Sequence, residues 1–436
     1  MLHAESGSEA SAETRNELLV RTGPGTAMGA LFRRYWIPAL RADELPAPDC
    51  PPVRVALLGE RLIAFRDSAG RLGLIDEFCP HRRVSLWFGR NEEGGLRCAY
   101  HGWKFGTDGS CLELPSEPES SGVRRSVRTT AYPCLEQGGV IWAYLGPPEL
   151  RPPPPALEWS LVPDGHRYLS KRLQACNYLQ ALEGGIDSSH VSFLHSGALR
   201  NDPLFQGSKG NRYNAGDLMP AFEVAEFPGG LLIGARRSAE EGRWYWRITP
   251  WIAPFYTLIA PRGPNPISGH AWVPIDDTNC WTWSVTYHPT RALTRRERAA
   301  MAAGAGIHVR YKPGTFEPLA GRDNDYLMDR AAQAAGITFS GVEGVGMQDA
   351  SLQESMGPIV DRARETLVAT DRGIVLTRRA LLRAVEANRA GRPIPGLDPA
   401  SQRVRSCAIE LPRDVPFQDG ARHGLFPEPG AEPVTV

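Results

Sequence analysis

Cys79, His81, Cys98 and His101 are spaced as C-x-H, a gap of 16 residues, then C-x2-H. Two thiolates and two imidazoles suit a [2Fe–2S] cluster of the Rieske type, with two Cys on one iron and two His on the other. Tetrahedral zinc also accepts two Cys and two His. Zinc sites, however, pair like with like, as C-x2-C followed by H-x3-H. Here each short loop offers one Cys and one His, one to each iron. Gly102-Trp103 follows the second pair and adds a tight turn and an apolar cover. Histidine ligation raises the potential above that of an all-Cys cluster, so the expected chemistry is single-electron transfer.

A second set of donors lies downstream. Glu183, Asp187 and His190 recur at i, i+4 and i+7, which a helix would place on one face. His195 follows five residues later, as in a helix that loosens near its end. Two imidazoles and a distant carboxylate make the facial triad of a mononuclear Fe(II) site, with positions open for O2 and water. Asp349 is the candidate third ligand. It could instead cap the helix it begins, and Glu354 and Asp361 compete for the role. Asp187 is placed to accept a ring N–H from His190, fixing its tautomer, or to reach a cluster histidine of the other domain. Two satisfied core histidines are the alternative for His190 and His195, and a surface acid is the alternative for Asp187.

These donors need two scaffolds. A chain of 436 residues suggests two or three domains. Zero formal net charge gives no reason to expect nucleic acid or an anionic membrane as partner. No apolar run approaches the roughly 20 residues of a membrane span. Residues 1–18 are polar and acidic without a signal-peptide core, and eight Cys without framework spacing suggest reduced thiols in the cytoplasm. After an N-terminal segment (1–34), residues 35–150 read as short strands. Val53 to Leu58 and Arg61 to Arg66 flank a Gly59-Glu60 turn, and the cluster loops sit at hairpin tips. A proline-rich connector follows Gly146. Residues 156–410 mix strands (231–236, 243–251, 256–260, 280–288) with helices (177–195, 294–303 opened by a Thr294/Glu297 capping box, 324–335, 349–366, 377–389). This predicts an α+β domain, an antiparallel sheet with helices against it. Residues 411–436 form a Pro/Gly-rich tail, read as an extended wrap or disordered.

Taken together, the segments 22–29, 181–190, 323–326 and 348–362 and the two cluster loops resemble the alpha (catalytic) subunits of the Rieske non-heme iron aromatic ring-hydroxylating oxygenases, the phthalate dioxygenase-like branch above all. The resemblance covers nearly the whole chain. It implies an all-β Rieske [2Fe–2S] domain held at Cys79, His81, Cys98 and His101. It also implies a helix-grip catalytic domain with Fe(II) on His190, His195 and Asp349. A head-to-tail homotrimer is implied, in which His101 of one subunit meets Asp187 of the next. A separate NAD(P)H-dependent reductase carrying flavin and iron–sulfur would supply electrons. One departure is visible, Glu183 where several members have Asn.

The expected activity is O2-dependent hydroxylation or O-demethylation of an aromatic, carboxylated substrate. The alternatives are a Rieske electron carrier or regulator without a working oxygenase site, and a zinc-stabilised binding module. Arginine is the natural clamp for a carboxylate because its fork matches both oxygens. Arg236, Arg237, Arg243 and Arg247 lie on strand-like segments, and Arg236 and Arg247 are the candidates to contact substrate.

Overall fold

The structure, a computed structural model, describes residues 14–240 and 242–436, so residues 1–13 of the N-terminal segment lie outside the described residues. The first half is built from ten short strands: β1 (Trp36–Arg41), β2 (Val53–Leu57), β3 (Glu60–Arg66), β4 (Leu72–Asp76), β5 (Arg90–Glu92), β6 (Gly95–Arg97), β7 (Lys104–Phe105), β8 (Cys111–Glu113), β9 (Cys134–Gln137) and β10 (Val140–Tyr144). They form three antiparallel sheets, ordered β1-β10-β9, β2-β3-β4 and β5-β6-β7-β8. The β2–β3 turn is one residue earlier than the sequence suggests. Leu57 pairs with Glu60, so the two turn residues are Leu58 and Gly59, both at positive φ (49° and 77°). The strained Leu58 is held by burial and by tertiary bonds. Its N–H donates to Pro274 O (2.9 Å) and that of Gly59 to Ile275 O (2.7 Å), which docks the hairpin on the second half.

The second half carries β11 (Arg167–Gln174), β12 (Ala221–Phe227), β13 (Gly230–Ser238), β14 (Arg243–Ile252), β15 (Tyr256–Ile259), β16 (Ile267–Pro274), β17 (Cys280–Tyr287) and β18 (Cys407–Pro412). They form one 8-stranded antiparallel sheet, ordered β11-β17-β16-β15-β14-β13-β12, with β18 on β14. One edge of β14 is shared. Residues Arg243 to Ile248 pair with β18, and Trp251 and Ile252 pair with β15. The helices Tyr178–Ile186 and Arg372–Arg389 cover the sheet, and Val345–Ser355 packs on the first of them. The first approaches closely because it carries two glycines. A Cβ on Gly185 would sit 2.0 Å from the Trp272 ring, and one on Gly184 2.2 Å from the Gln353 amide.

Three helices differ from the sequence reading. The Tyr178–Ile186 helix, capped by the Asn177 side chain, stops at Asp187 (ψ 121°), short of His190. Asp187-Ser188-Ser189 favours side-chain bonds to its own backbone over helix continuation. Residues 324–335 form no single helix; Asp325, Tyr326 and Leu327 sit at positive φ and only Arg330–Ala334 is α-helical. The helix expected over 349–366 instead spans Val345–Ser355, ended by Met356-Gly357-Pro358. The tail is tied down, and its last ten residues wrap the second half without helix or strand, Ala408 N donating to Val434 O (3.2 Å). Phe417 and Leu425 lie on short helical turns and are buried in the main core, and the Ser208 hydroxyl donates to Val436 O (2.6 Å).

That main core runs through both halves, from Leu57 and Trp142 to Tyr178 and Trp283. A second, smaller core lies under the cluster loops: Ile63, Phe65, Ile75, Leu86, Leu96, Trp103 and Phe105 pack around Cys79 and Cys98. The proline-rich connector is tied down on both sides, by Trp36 Nε1 to Pro152 O (3.1 Å) and Ala156 N to Gln402 Oε1 (2.6 Å). No helix among the described residues is long and apolar enough to cross a membrane.

Candidate metal centres

The first centre sits on two loops, one after β4 and one between β6 and β7. Each loop is pinned by its own backbone. Cys79 N donates to Val84 O (2.9 Å) and Arg83 N to Cys79 O (2.9 Å). Cys98 N donates to Trp103 O (2.8 Å) and Gly102 N to Cys98 O (3.0 Å). Both cysteines are buried, whereas His81 is exposed and His101 half-exposed. The donors therefore divide by depth, sulfur inside and imidazole at the surface. The thiols share a hydrogen bond, which lowers Cys98 to about 6 and raises Cys79. The His81 ring lies 4.5 Å from that of His101 and stacks on Trp103 (4.4 Å, 11°), whose Nε1 donates to Ser116 Oγ (2.9 Å). A buried sulfur pair under a surface imidazole pair fits a cluster held asymmetrically, two Cys on one iron and two His on the other. It also leaves the histidine end at the surface.

The second centre is assembled from two segments. His190 and His195 lie in the loop that follows the Tyr178–Ile186 helix, and Asp349 lies on the Val345–Ser355 helix. His190 Nε2 is 3.1 Å from His195 Nε2, and Asp349 Oδ1 is 3.1 Å from His195 Nε2 and 3.6 Å from His190 Nε2. Metal–ligand bonds of roughly 2.1 Å at right angles place adjacent donors about 3 Å apart. The three atoms thus match one face of an octahedron. Among the described residues this is the one group of three His, Cys, Asp or Glu side chains converging in this way.

The outer nitrogens explain why. His190 Nδ1 is 3.1 Å from Asp187 Oδ2, and His195 Nδ1 is 2.8 Å from Gln348 Oε1. With Nδ1 donating in both rings, both Nε2 atoms are lone pairs aimed at one point. Two lone pairs at 3.1 Å repel unless a cation lies between them. Burial pushes the Asp349 carboxyl up, but the adjacent His195 and His190 outweigh it and bring it to about 2. Burial likewise lowers His190, and Asp187 with Asp349 overcomes it to raise the ring above its ordinary value.

The competing acids are engaged elsewhere. Glu354 Oε1 accepts from Ala175 N (3.1 Å) and Oε2 from the Tyr326 hydroxyl (2.7 Å). Asp361 accepts from Ala363 N (3.1 Å). Glu183 does not join the metal donors. It forms a forked ion pair with Arg378 (2.7 and 3.0 Å), tying its helix to Arg372–Arg389. Asp187 is on no shared helical face. It caps the helix and accepts from Ser189 N (2.7 Å).

A cavity opens from these donors, lined by the apolar Val191, Leu199, Leu204 and Ile259 and by Arg172, Arg247, Arg262 and His270. Arg247 is buried, and among the described residues its Nε and Nη1 have no partner and no carboxylate pairs with it. Arg262 is equally buried and donates to Asn211 Oδ1 (2.6 Å), with no acidic partner among the described residues. Burial and then neighbouring Arg247 pull Arg237 down to about 10 and Arg262 well below its ordinary value. Arg236 is a correction: it lies outside this cavity and pairs with Glu223 (3.3 Å). The register explains it. Arg247 pairs across with Ala235, so Arg236, one residue on, projects from the opposite face. Arg243 donates to Glu410 O (2.6 Å), also away from the cavity. Arg262 and Gln348 had no mark in the sequence, the first inside a Pro-Arg-Gly-Pro turn and the second an uncharged neighbour of Asp349.

Residues 35–133 match the Rieske [2Fe-2S] domain family, and residues 143–411 match the LigXa C-terminal domain like family. The chain is 40% identical to the 3-chlorobenzoate-3,4-dioxygenase oxygenase subunit of Comamonas testosteroni, over 92% of this chain and 96% of that one. It is 36% identical to the phthalate 4,5-dioxygenase oxygenase subunit of Pseudomonas putida, over 93% of each. Dicamba monooxygenase bound to 3,6-dichlorosalicylic acid shares the fold at 19% identity, with a TM-score of 0.56 over 83% of this chain and 99% of that one.

Proposed function

Since this chain belongs to the Rieske non-heme iron aromatic ring-hydroxylating oxygenases, as a catalytic alpha subunit of the phthalate dioxygenase-like branch, we propose that it oxidises an aromatic carboxylate, with Arg247 and Arg262 holding the carboxylate. The observation that carries this reading is the buried guanidinium groups of Arg247 and Arg262, without an acidic partner among the described residues, beside His190, His195 and Asp349. Buried charges are ordinarily paired, because an unpaired one keeps its full desolvation cost. A bound carboxylate would satisfy the open Nε and Nη1 groups of Arg247 and offset the burial that pulls Arg262 below its ordinary value.

Cys79, Cys98, His81 and His101 would hold the cluster, and His190, His195 and Asp349 the mononuclear iron. When bound, these groups supply single electrons and O2 activation. The chain supplies the rest. Asp187 and Gln348 fix the tautomers of the two histidines. The apolar wall of Val191, Leu199, Leu204 and Ile259 excludes water from the reacting face. The arginines set which ring carbon faces the site. The electron-storing unit comprises residues 35–150 and the oxygenating unit residues 156–410. A pure electron carrier would need neither the three converging donors nor the cavity.

Electrons come from a separate NAD(P)H-dependent reductase carrying flavin and iron–sulfur. In a homotrimer, His101 of one subunit meets Asp187 of the next. Surface exposure supports this: His101 is half-exposed, and the Asp187 side chain keeps 21% of its surface. Incubation with such a reductase, O2 bearing heavy oxygen, and a panel of benzoates, phthalates and methoxybenzoates beside their methyl esters tests the reading. The free acids and not the esters should turn over, with label on the ring of a hydroxylated acid or in the formaldehyde released from a methoxy group. Equal turnover of esters would overturn the carboxylate assignment.

A further inference from the structure

We infer that Gln348 is a positioning residue for the mononuclear iron, holding His195 in its metal-binding tautomer. The inference rests on the iron site proposed above and concerns a residue that touches no donor position itself. Gln348 is 2% exposed. Its Nε2 donates to Val342 O (3.0 Å) and its Oε1 lies 2.8 Å from His195 Nδ1. The first bond fixes the second. A backbone carbonyl only accepts, so the amide cannot flip, and its oxygen must face the ring. An amide oxygen in turn only accepts, so Nδ1 carries the proton and Nε2 is the lone pair. That lone pair faces Asp349 Oδ1 and His190 Nε2 at 3.1 Å each.

The two histidines are therefore held alike but by unlike groups. His190 leans on the charged Asp187, and His195 leans on a neutral amide. A carboxylate partner makes an imidazole a stronger donor, whereas an amide orients it without adding charge. Asp187 and Asp349 already bring two negative charges to the site, so a neutral partner on His195 holds the total there. Placement matters too. Gln348 and Asp349 are consecutive on one helix, so that helix supplies one donor and orients another. Val342, just before the helix, supplies the carbonyl that anchors the Gln348 amide.

The test is ferrous affinity, read by competition with a chromophoric chelator on full-length, cluster-loaded protein, with cluster absorbance as the check on folding. Gln348→Met keeps the volume and removes the acceptor. It should weaken ferrous binding about 10- to 100-fold with the cluster unchanged. Gln348→Glu keeps an acceptor for Nδ1 but loses the donor to Val342 O, so it should recover only part of the affinity lost in Gln348→Met. A purely packing role predicts the reverse, with Met like the parent. Parent-like affinity in Gln348→Met, or loss in Gln348→Glu equal to that in Met, would overturn the inference. Failure of the parent protein to bind ferrous iron would instead overturn the iron site.

Discussion

Asp187 ends the Tyr178–Ile186 helix and, by the same carboxylate, orients His190: Oδ1 accepts from Ser189 N at 2.7 Å while Oδ2 lies 3.1 Å from His190 Nδ1. One side chain thus converts a helix terminus into a loop and aims the first histidine of that loop. Its charge is maintained, since the His190 and Ser189 bonds outweigh burial and keep the carboxyl below its ordinary range.

Asp187→Asn is expected to retain both metals and to lose product formation by about 10- to 100-fold, because the amide still caps the helix but no longer carries the charge that makes His190 a strong donor. Metal analysis beside single-turnover product yield checks this. Unchanged yield would remove the carboxylate from the reaction.

Asp349→Ala is expected to keep the cluster and lose the mononuclear iron, with ferrous affinity down more than about 100-fold. The visible spectrum reports the first and chelator competition the second. Retained iron would contradict a ligand set that has Asp349 Oδ1 3.1 Å from His195 Nε2.

Arg247→Gln is expected to raise KM for a carboxylated substrate by about 10- to 100-fold, the worth of a charge-assisted hydrogen bond, and to leave a neutral analogue unaffected. Arg247→Lys should recover only part, because an ammonium cannot present a fork. Steady-state kinetics on acid and ester pairs measure both.

Much of this site was legible because its donors lie close together in sequence. Cys79 with His81, Cys98 with His101, and His190 with His195 announce themselves by spacing. What spacing could not show is where backbone direction changes. The i, i+4, i+7 pattern suggested a continuous helix through His190, yet Asp187-Ser188-Ser189 bonds to itself and breaks it. Arg236 and Arg247 looked equivalent until the register placed Ala235, not Arg236, opposite Arg247. Gln348 and Arg262 were silent because their roles depend on partners far away, His195 and Asn211. β12 and β16 escaped notice although turn residues flank both, because Glu223 and Glu226 interrupt the apolar run of the first and Gly269 and His270 that of the second.

Glu183 takes no part in the metal site, and its substitution should separate stability from chemistry. Its forked bond to Arg378 joins the helix that leads to His190 with the Arg372–Arg389 helix, and both side chains are mostly buried (10% and 14% exposed). Removing one partner of a buried pair leaves the other charge uncompensated. Here Glu365 still holds Arg378 at 2.7 Å, so the loss should be about 2 kcal/mol, below that of an isolated buried pair. Glu183→Gln should therefore lower the thermal midpoint of the loaded protein by several degrees while ferrous affinity stays at the parent value. Iron loss in proportion to the fall in stability would place Glu183 in the metal site after all.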